Sequence, residues 1–222
     1  MKLLVTRPEP GAAATAQRLT LAGHLPAVMS CLRITRLTPP FPAHIAALLV
    51  TSGQAIPSLP PHLRAVPSFC VGDATAAKLR EAGFLSVASA SGTADDLCRL
   101  VSARQLPGLH VLASGERLGL KLLADLRHAG LKVTRRVVYR TRPIRTLPPA
   151  IKTALEQGEF DGALFYSSET ARAFAALRPP GTAALSAYAL SPAIAKTLQL
   201  LPWRDIRVAL APTEADMMAL LT

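Results

Sequence analysis

The sequence predicts an α/β protein of doubly wound parallel sheets, and three observations carry that prediction. Short apolar runs alternate with amphipathic stretches along most of the chain. One pattern is stated twice: residues 45–97 contain HIAALLVTSGQAI, FCVGDATAAKLREAGF and ASGTADDL, and residues 161–217 contain DGALFYSSETARAF, YALSPAIAKTLQ and APTEADM. Pairing Ser52 with Ser167 also pairs Gly72 with Ser191 and Thr93 with Thr213, at spacings of 20 and 21 residues in the first copy and 24 and 22 in the second. Each element is an apolar run, then small or hydroxyl residues, then an amphipathic stretch, which is how a strand, a tight turn and a helix N-terminus look in sequence. Two modules of similar build should face each other, with these turns as the lips of a cleft.

In chain order, 2–6 reads as a strand, 8–11 as a turn, 12–22 as a helix stopped by Gly23, and 26–31 as a second strand. Residues 33–40, RITRLTPP, are extended and end on prolines, so they form a connector. The first copy follows, opening on the buried-strand run 45–50. Next come a strand at 110–114, a periodic helix at 118–129 closed by Gly130, and an extended segment at 131–141. Pro143, Pro148 and Pro149 mark a second connector, after which a helix at 150–156 and a strand at 162–166 lead into the second copy.

The proline-marked connectors bracket the first copy. The chain is therefore expected to begin one domain, cross over to build another, and return: residues 1–32 with 144–222, then 43–137, with connectors at 33–42 and 138–143. The alternative, two consecutive domains joined once near 143–149, leaves residues 1–32 too short to bury a core. Parallel strands alternating with helices imply flavodoxin-like sheets with ligands outside the carboxyl ends of the strands.

Composition narrows the class. Half of the 222 residues are apolar and 5% are aromatic, as in a globular α/β protein. The first apolar run breaks after three residues, so no secretory signal is expected, and no stretch approaches the roughly 20 apolar residues of a membrane span. Cys31, Cys70 and Cys98 sit in no metal-ligand spacing, which makes structural zinc unexpected and the cytoplasm the natural compartment. Net charge is +11, carried by 19 arginines and 6 lysines. Such a balance suits an anionic partner, and arginine pairs carboxylates bidentately; a solvated basic surface accounts for the charge equally well.

The familiar motifs of nucleotide binding and hydrolysis are missing: there is no GxGxxG, GxxxxGK[ST], GxSxG or HExxH. What recurs is the turn after a strand: Thr51-Ser52-Gly53, Gly72-Asp73-Ala74-Thr75, Ser114-Gly115, Ser167-Ser168 and Ser191-Pro192. Hydroxyls and free backbone N–H groups at such places hold anions, though each turn alone reads as ordinary helix capping. Arg33, Arg36, Arg135, Arg136, Arg140, Arg142 and Arg145 cluster in or beside the connectors, either facing the cleft or forming a solvated basic hinge.

The strings VTRPEPGAAATAQRLTLAGH, LLVTSGQAI, VGDATAAKLREAGF, SGERLGLKLLADLRHAGLKV, VVYRT, DGALFYSSETARAF and LSPAIAKTL, in that order, resemble the uroporphyrinogen-III synthase family over nearly the whole chain. The resemblance implies two flavodoxin-like domains joined by a two-stranded connector, with the active site between them. It implies cyclisation of hydroxymethylbilane, a linear tetrapyrrole, to uroporphyrinogen III without metal or organic cofactor. The terminal hydroxyl leaves as water, the last ring inverts through a spiro intermediate, and the macrocycle closes. The reactive azafulvene formed on the way would cyclise unaided to the wrong isomer, so the protein has to hold the chain, exclude water and donate at most a proton. Eight substrate carboxylates suit the arginine excess.

By the same resemblance Tyr139, the tyrosine of V-Y-x-T, assists hydroxyl departure, unless it is only a packed strand residue. Ser52, Gly72, Thr75 and Ser167 match the family's turns and Arg7 its opening arginine, and Thr51, Ser114, Gly115 and Ser191 complete the expected substrate-binding set. Two strings depart from the family. I-G-P-T-T-A is here Leu190-Ser191-Pro192-Ala193-Ile194-Ala195, and F-T-S-P is Phe165-Tyr166-Ser167-Ser168. The lost hydroxyls motivate an alternative, a non-catalytic relative that binds a tetrapyrrole or another anion. A nucleic-acid module would rest on charge alone, without stacking aromatics. The expected protein is a monomer with a small-molecule substrate and with no nucleic-acid or membrane partner.

Overall fold

The computed structural model describes residues 1–221. The chain opens with β1 (Lys2–Val5), α1 (Gly11–Leu21) and β2 (Leu25–Val28). It continues through β3 (Leu32–Arg36), β4 (Ala47–Val50), β5 (Ser68–Cys70), α2 (Asp73–Glu81), β6 (Val87–Ser89), α3 (Ala94–Ala103), β7 (His110–Gly115), α4 (Leu120–His128) and β8 (Val133–Pro143). It ends with α5 (Pro149–Glu156), β9 (Gly162–Phe165), α6 (Ser168–Ala176), β10 (Ser186–Ala189), α7 (Pro192–Leu198), β11 (Asp205–Val208) and α8 (Glu214–Ala219). It divides into two compact units, one of Met1–Arg33 with the chain from Arg142 onward and one of Ile34–Thr141. No helix among the described residues is long and apolar enough to cross a membrane.

The first unit holds a five-stranded sheet in the order β11-β10-β9-β1-β2, every neighbouring pair parallel. Alternation along the strands gives it two buried faces. Leu4, Ala163, Phe165, Ala187 and Ala189 pack against α6 and α7 through Ala171, Phe174, Ile194 and Leu198. Leu3, Val5, Leu164 and Tyr188 pack against α1 and α8 through Ala12, Leu19 and Met217. Strands buried on both faces read as continuous apolar runs, which is how they stood out in the sequence.

The second unit holds a six-stranded sheet in the order β3-β8-β7-β4-β5-β6. The pairs from β8 to β6 are parallel. Leu37 N donates to Val138 O at 2.9 Å and Ile144 N to Cys31 O at 3.0 Å, so β3 runs antiparallel to β8. One face packs Leu48, Val50 and Val111 on Ala76 and Leu79 of α2. The other packs Ala47, Leu49 and Leu112 on α3 and α4.

Set side by side, the sheets are the same arrangement with the chain cut at a different place. The order β2-β1-β9-β10-β11 corresponds strand for strand to β8-β7-β4-β5-β6. The unit β1–α1–β2 comes before its three companion strands, whereas β7–α4–β8 comes after them. In the position of α6 the second unit has a short 3-10 helix, Gly53–Ser58. Pro57 lies inside it and Pro60 and Pro61 follow, and prolines there deny an α-helix its N–H donors.

Three sequence expectations change. The extended segment at 131–141 and the connector at 138–143 are one continuous strand, β8. Residues 33–36, read as plain connector, belong to β3. Ser114 and Gly115 do not start a helix: β7 runs through Gly115, and α4 begins only after Gly119, whose φ of +82° is the left-handed turn that a glycine allows.

Candidate active site

In parallel α/β sheets the strand-to-helix turns collect at the carboxyl edge. In the second unit that edge gathers Thr51 and Ser52 after β4, Gly72 and Thr75 after β5, Ser114 and Gly115 at the end of β7, and Tyr139 beside Gly115 on β8. In the first unit the same edge carries Arg7 after β1, Ser167 after β9 and Ser191 after β10.

The paired turns share backbone geometry. Ser52 has φ −155° and ψ 142°, and Ser167 has φ −155° and ψ 150°; each hydroxyl accepts an N–H, from Gln54 at 3.3 Å and from Thr170 at 3.1 Å. Thr93 and Thr213 cap α3 and α8 alike, accepting from Asp96 N at 3.3 Å and Asp216 N at 3.1 Å. The Thr93 hydroxyl and backbone N–H in turn hold the Asp96 carboxyl down at about 2. The middle pair differs from the other two. Gly72 and Ser191 are both extended, and neither helix start receives a side-chain hydrogen bond. A Cβ on Gly72 would meet nothing within 4 Å, so there is open space beside the residue that precedes α2.

The Thr51 hydroxyl is buried without a hydrogen-bond partner, which is costly unless something else satisfies it. The Lys78 side chain on α2 lies where a Cβ on Gly53 would come within 2.9 Å, and Thr75 is one turn earlier on the same helix. This puts an exposed cation next to the Ser52 turn, and the sequence reading passed over it. Asp73, in the first turn of α2, has its carboxyl lowered by hydroxyls of Ser89 and Ser91, the latter donating at 2.9 Å.

Tyr139 is 4% exposed and packs with Val138 in one core cluster, although neighbours on a regular strand point to opposite faces. The reason is a β-bulge. Ser114 pairs with Val137 but Gly115 pairs with Tyr139, and the skipped residue turns the phenol over Gly115. A Cβ on Gly115 would stand 2.7 Å from the ring carbons and 2.9 Å from the hydroxyl oxygen. Three of the seven connector arginines bond within their own unit, while Arg33, Arg36, Arg142 and Arg145 are exposed: Arg135 bonds the Ser114–Glu116 turn, Arg136 Nε donates to Pro40 O at 2.8 Å, and Arg140 pairs with Glu116 at 3.0 Å.

Arg7 is engaged as well. Its Nη1 lies 3.2 Å from Glu214 Oε2 and 3.3 Å from Thr15 Oγ1, and its guanidinium stacks 4.0 Å from the Tyr166 ring centre. Glu214 Oε1 accepts from Tyr166 Oη and Thr15 Oγ1, both at 2.9 Å. Burial, with Glu214 beside it, pushes the Tyr166 phenol up to about 12. Gly11 makes room for this arrangement, since a Cβ there would come within 2.5 Å of Arg7 Nε. Neither Glu214 nor Thr15 was legible in the sequence, because Arg7 and Glu214 are brought together only by the long-range assembly of β1 and α8.

Comparison with known proteins places the chain. The family model described as uroporphyrinogen-III synthase HemD matches residues 13–219. The crystal structure of a uroporphyrinogen-III synthetase from Helicobacter pylori 26695 superposes with a TM-score of 0.65 at 18% identity, covering 100% of this chain and 98% of that one. A mutant uroporphyrinogen III synthase from the extremely thermophilic bacterium Thermus thermophilus gives 0.54 at 19% identity, covering 100% and 96%. Among curated sequences no relative matches. At these identities the two structures speak to the fold. The family model spans nearly the whole sequence: the chain belongs to the uroporphyrinogen-III synthase family.

Proposed function

We propose that the carboxyl edges of both sheets bind the substrate and that Tyr139 assists departure of its hydroxyl. The activity is that of the family: an enzyme that cyclises hydroxymethylbilane to uroporphyrinogen III, expelling the terminal hydroxyl as water and inverting the last ring. The match over residues 13–219 carries this reading. The uncapped start of α2 at Gly72 supports this location, because backbone N–H groups at a helix start suit a carboxylate of the substrate. Ser191 stands where the family has a glycine, and its hydroxyl, which caps no N–H of α7, makes up for part of the lost hydroxyls.

In this reading Tyr139 donates a proton or hydrogen bond to the leaving hydroxyl. The burial of its own side chain supports a role shielded from bulk water. The residue groups 1–32 with 144–222, and 43–137, act as two flavodoxin-like domains. The strand order 2-1-3-4-5, read directly in one sheet and after cyclic renumbering in the other, supports that description. Three free cysteines support a cytoplasmic setting.

The test is to supply hydroxymethylbilane, oxidise the products, and separate the type I and type III isomers. Type III is expected in excess of the enzyme-free control. Type I alone would leave only the binding reading.

A further inference from the structure

One side chain braces the turn that ends β7. Arg135, half-buried on β8, reaches back across the sheet. Its Nε donates to Ser114 Oγ at 2.8 Å, and its Nη2 donates to the carbonyls of Gly115 at 2.6 Å and Glu116 at 2.7 Å. Ser114 passes the restraint on by donating its hydroxyl proton to Leu118 O at 3.1 Å. Glu116 returns it to the neighbouring strand: its N–H donates to Tyr139 O at 3.0 Å and its carboxylate pairs with Arg140 at 3.0 Å. These bonds converge on Gly115, whose backbone lies directly under the Tyr139 ring.

We propose that Arg135 is a positioning residue of the reaction. It fixes the Ser114–Glu116 turn, and through that turn the place of the Tyr139 phenol, and it takes no substrate carboxylate. The proposal rests on the reading of Tyr139 given above. Three bonds to the protein's own acceptors take up every N–H of Nε and Nη2, so the fork has no two-pronged grip left for a carboxylate unless the turn is displaced. The planar fork matters. A guanidinium meets one hydroxyl and two carbonyls in fixed directions, whereas an ammonium on a flexible stem does not. The β-bulge makes the arrangement sensitive, because Tyr139 is one residue out of regular register and depends on the turn to stay over Gly115.

The experiment compares Arg135→Lys and Arg135→Gln with wild type for kcat, KM, product isomer ratio and thermal midpoint, alone and in a Tyr139→Phe background. Both substitutions are expected to lower kcat by about 10- to 100-fold, the scale on which small misplacements act, with KM within about threefold. The type I fraction should rise. In the Tyr139→Phe background the further loss should nearly vanish, because the two residues act as one unit. A KM raised tenfold at normal kcat and restored by lysine would make Arg135 a carboxylate ligand and overturn the proposal. Wild-type kcat, KM and isomer ratio with a lowered thermal midpoint would reduce it to a structural residue, and so would failure of both variants to fold. A wild-type protein that yields type I alone overturns the functional reading itself, an outcome separate from all of these.

Discussion

Tyr139 lies across Gly115: the ring is so close that a methyl group on Gly115 would stand 2.7 Å from it. The glycine's backbone is in a strand, so close approach rather than backbone conformation is what requires it. Gly115→Ala is expected to displace the phenol, lower kcat by at least tenfold, and cost about 1–3 kcal/mol of stability by overpacking. Denaturant unfolding beside turnover checks both. Full activity in the alanine variant would mean that the contact does not control catalysis.

Tyr139→Phe keeps the ring and removes the hydroxyl. A hydrogen-bonding or proton-donating role predicts a kcat lower by about 10²-fold, the low end for a general acid, with folding unchanged. Pure packing predicts wild-type turnover for phenylalanine and a loss of about 3–5 kcal/mol for Tyr139→Ala. Turnover and melting of the two variants separate the cases.

Much of the fold could be read from local pattern. The matched turns at Ser52 and Ser167, and at Thr93 and Thr213, are helix starts whose capping chemistry is written in a few consecutive residues. Strands buried on both faces, such as 47–50 and 162–165, announce themselves as unbroken apolar runs. What escaped was whatever depends on residues far apart in the chain. The bulge at Tyr139 follows from register against β7, and Arg135 meets Ser114 only across that register. The cyclic relation of β7–α4–β8 to β1–α1–β2 escaped because it shows only once the strand order of both sheets is known, although both helices end on a Leu-x-x-Ala-Gly string, at 19–23 and 126–130. The same holds for Arg7, which looked available for substrate until Glu214 met it from 207 residues away.

The paired caps allow a symmetrical test. Thr93→Ala and Thr213→Ala each remove a hydroxyl that accepts the N–H of the third helical residue. Each is expected to cost about 1 kcal/mol. For Thr93 the Asp96 carboxyl, now at about 2, should move up toward 3.8. NMR titration of Asp96 and denaturant midpoints read both effects; an unmoved Asp96 would contradict the capping box.

The Tyr166 phenol makes a prediction at alkaline pH. Burial and then the neighbouring Glu214 raise it from 10.0 to about 12, so the folded protein keeps a proton that the unfolded chain gives up. Where the unfolded state binds fewer protons, stability falls as pH rises. The contribution of Tyr166 is therefore level below about pH 10 and declines through the interval up to about 12. Wild-type stability should drop across that window relative to Tyr166→Phe, which has no proton to lose. Glu214→Gln removes the adjacent negative charge, and with it part of the cause, so its Tyr166 should titrate below the wild-type value. Tyrosinate absorbance and urea midpoints across that same window, from about pH 10 to about 12, measure both. Parallel midpoints for wild type and Tyr166→Phe would show that the phenol titrates normally, and that the Arg7–Tyr166–Glu214 contact is looser than its distances of 4.0 and 2.9 Å imply.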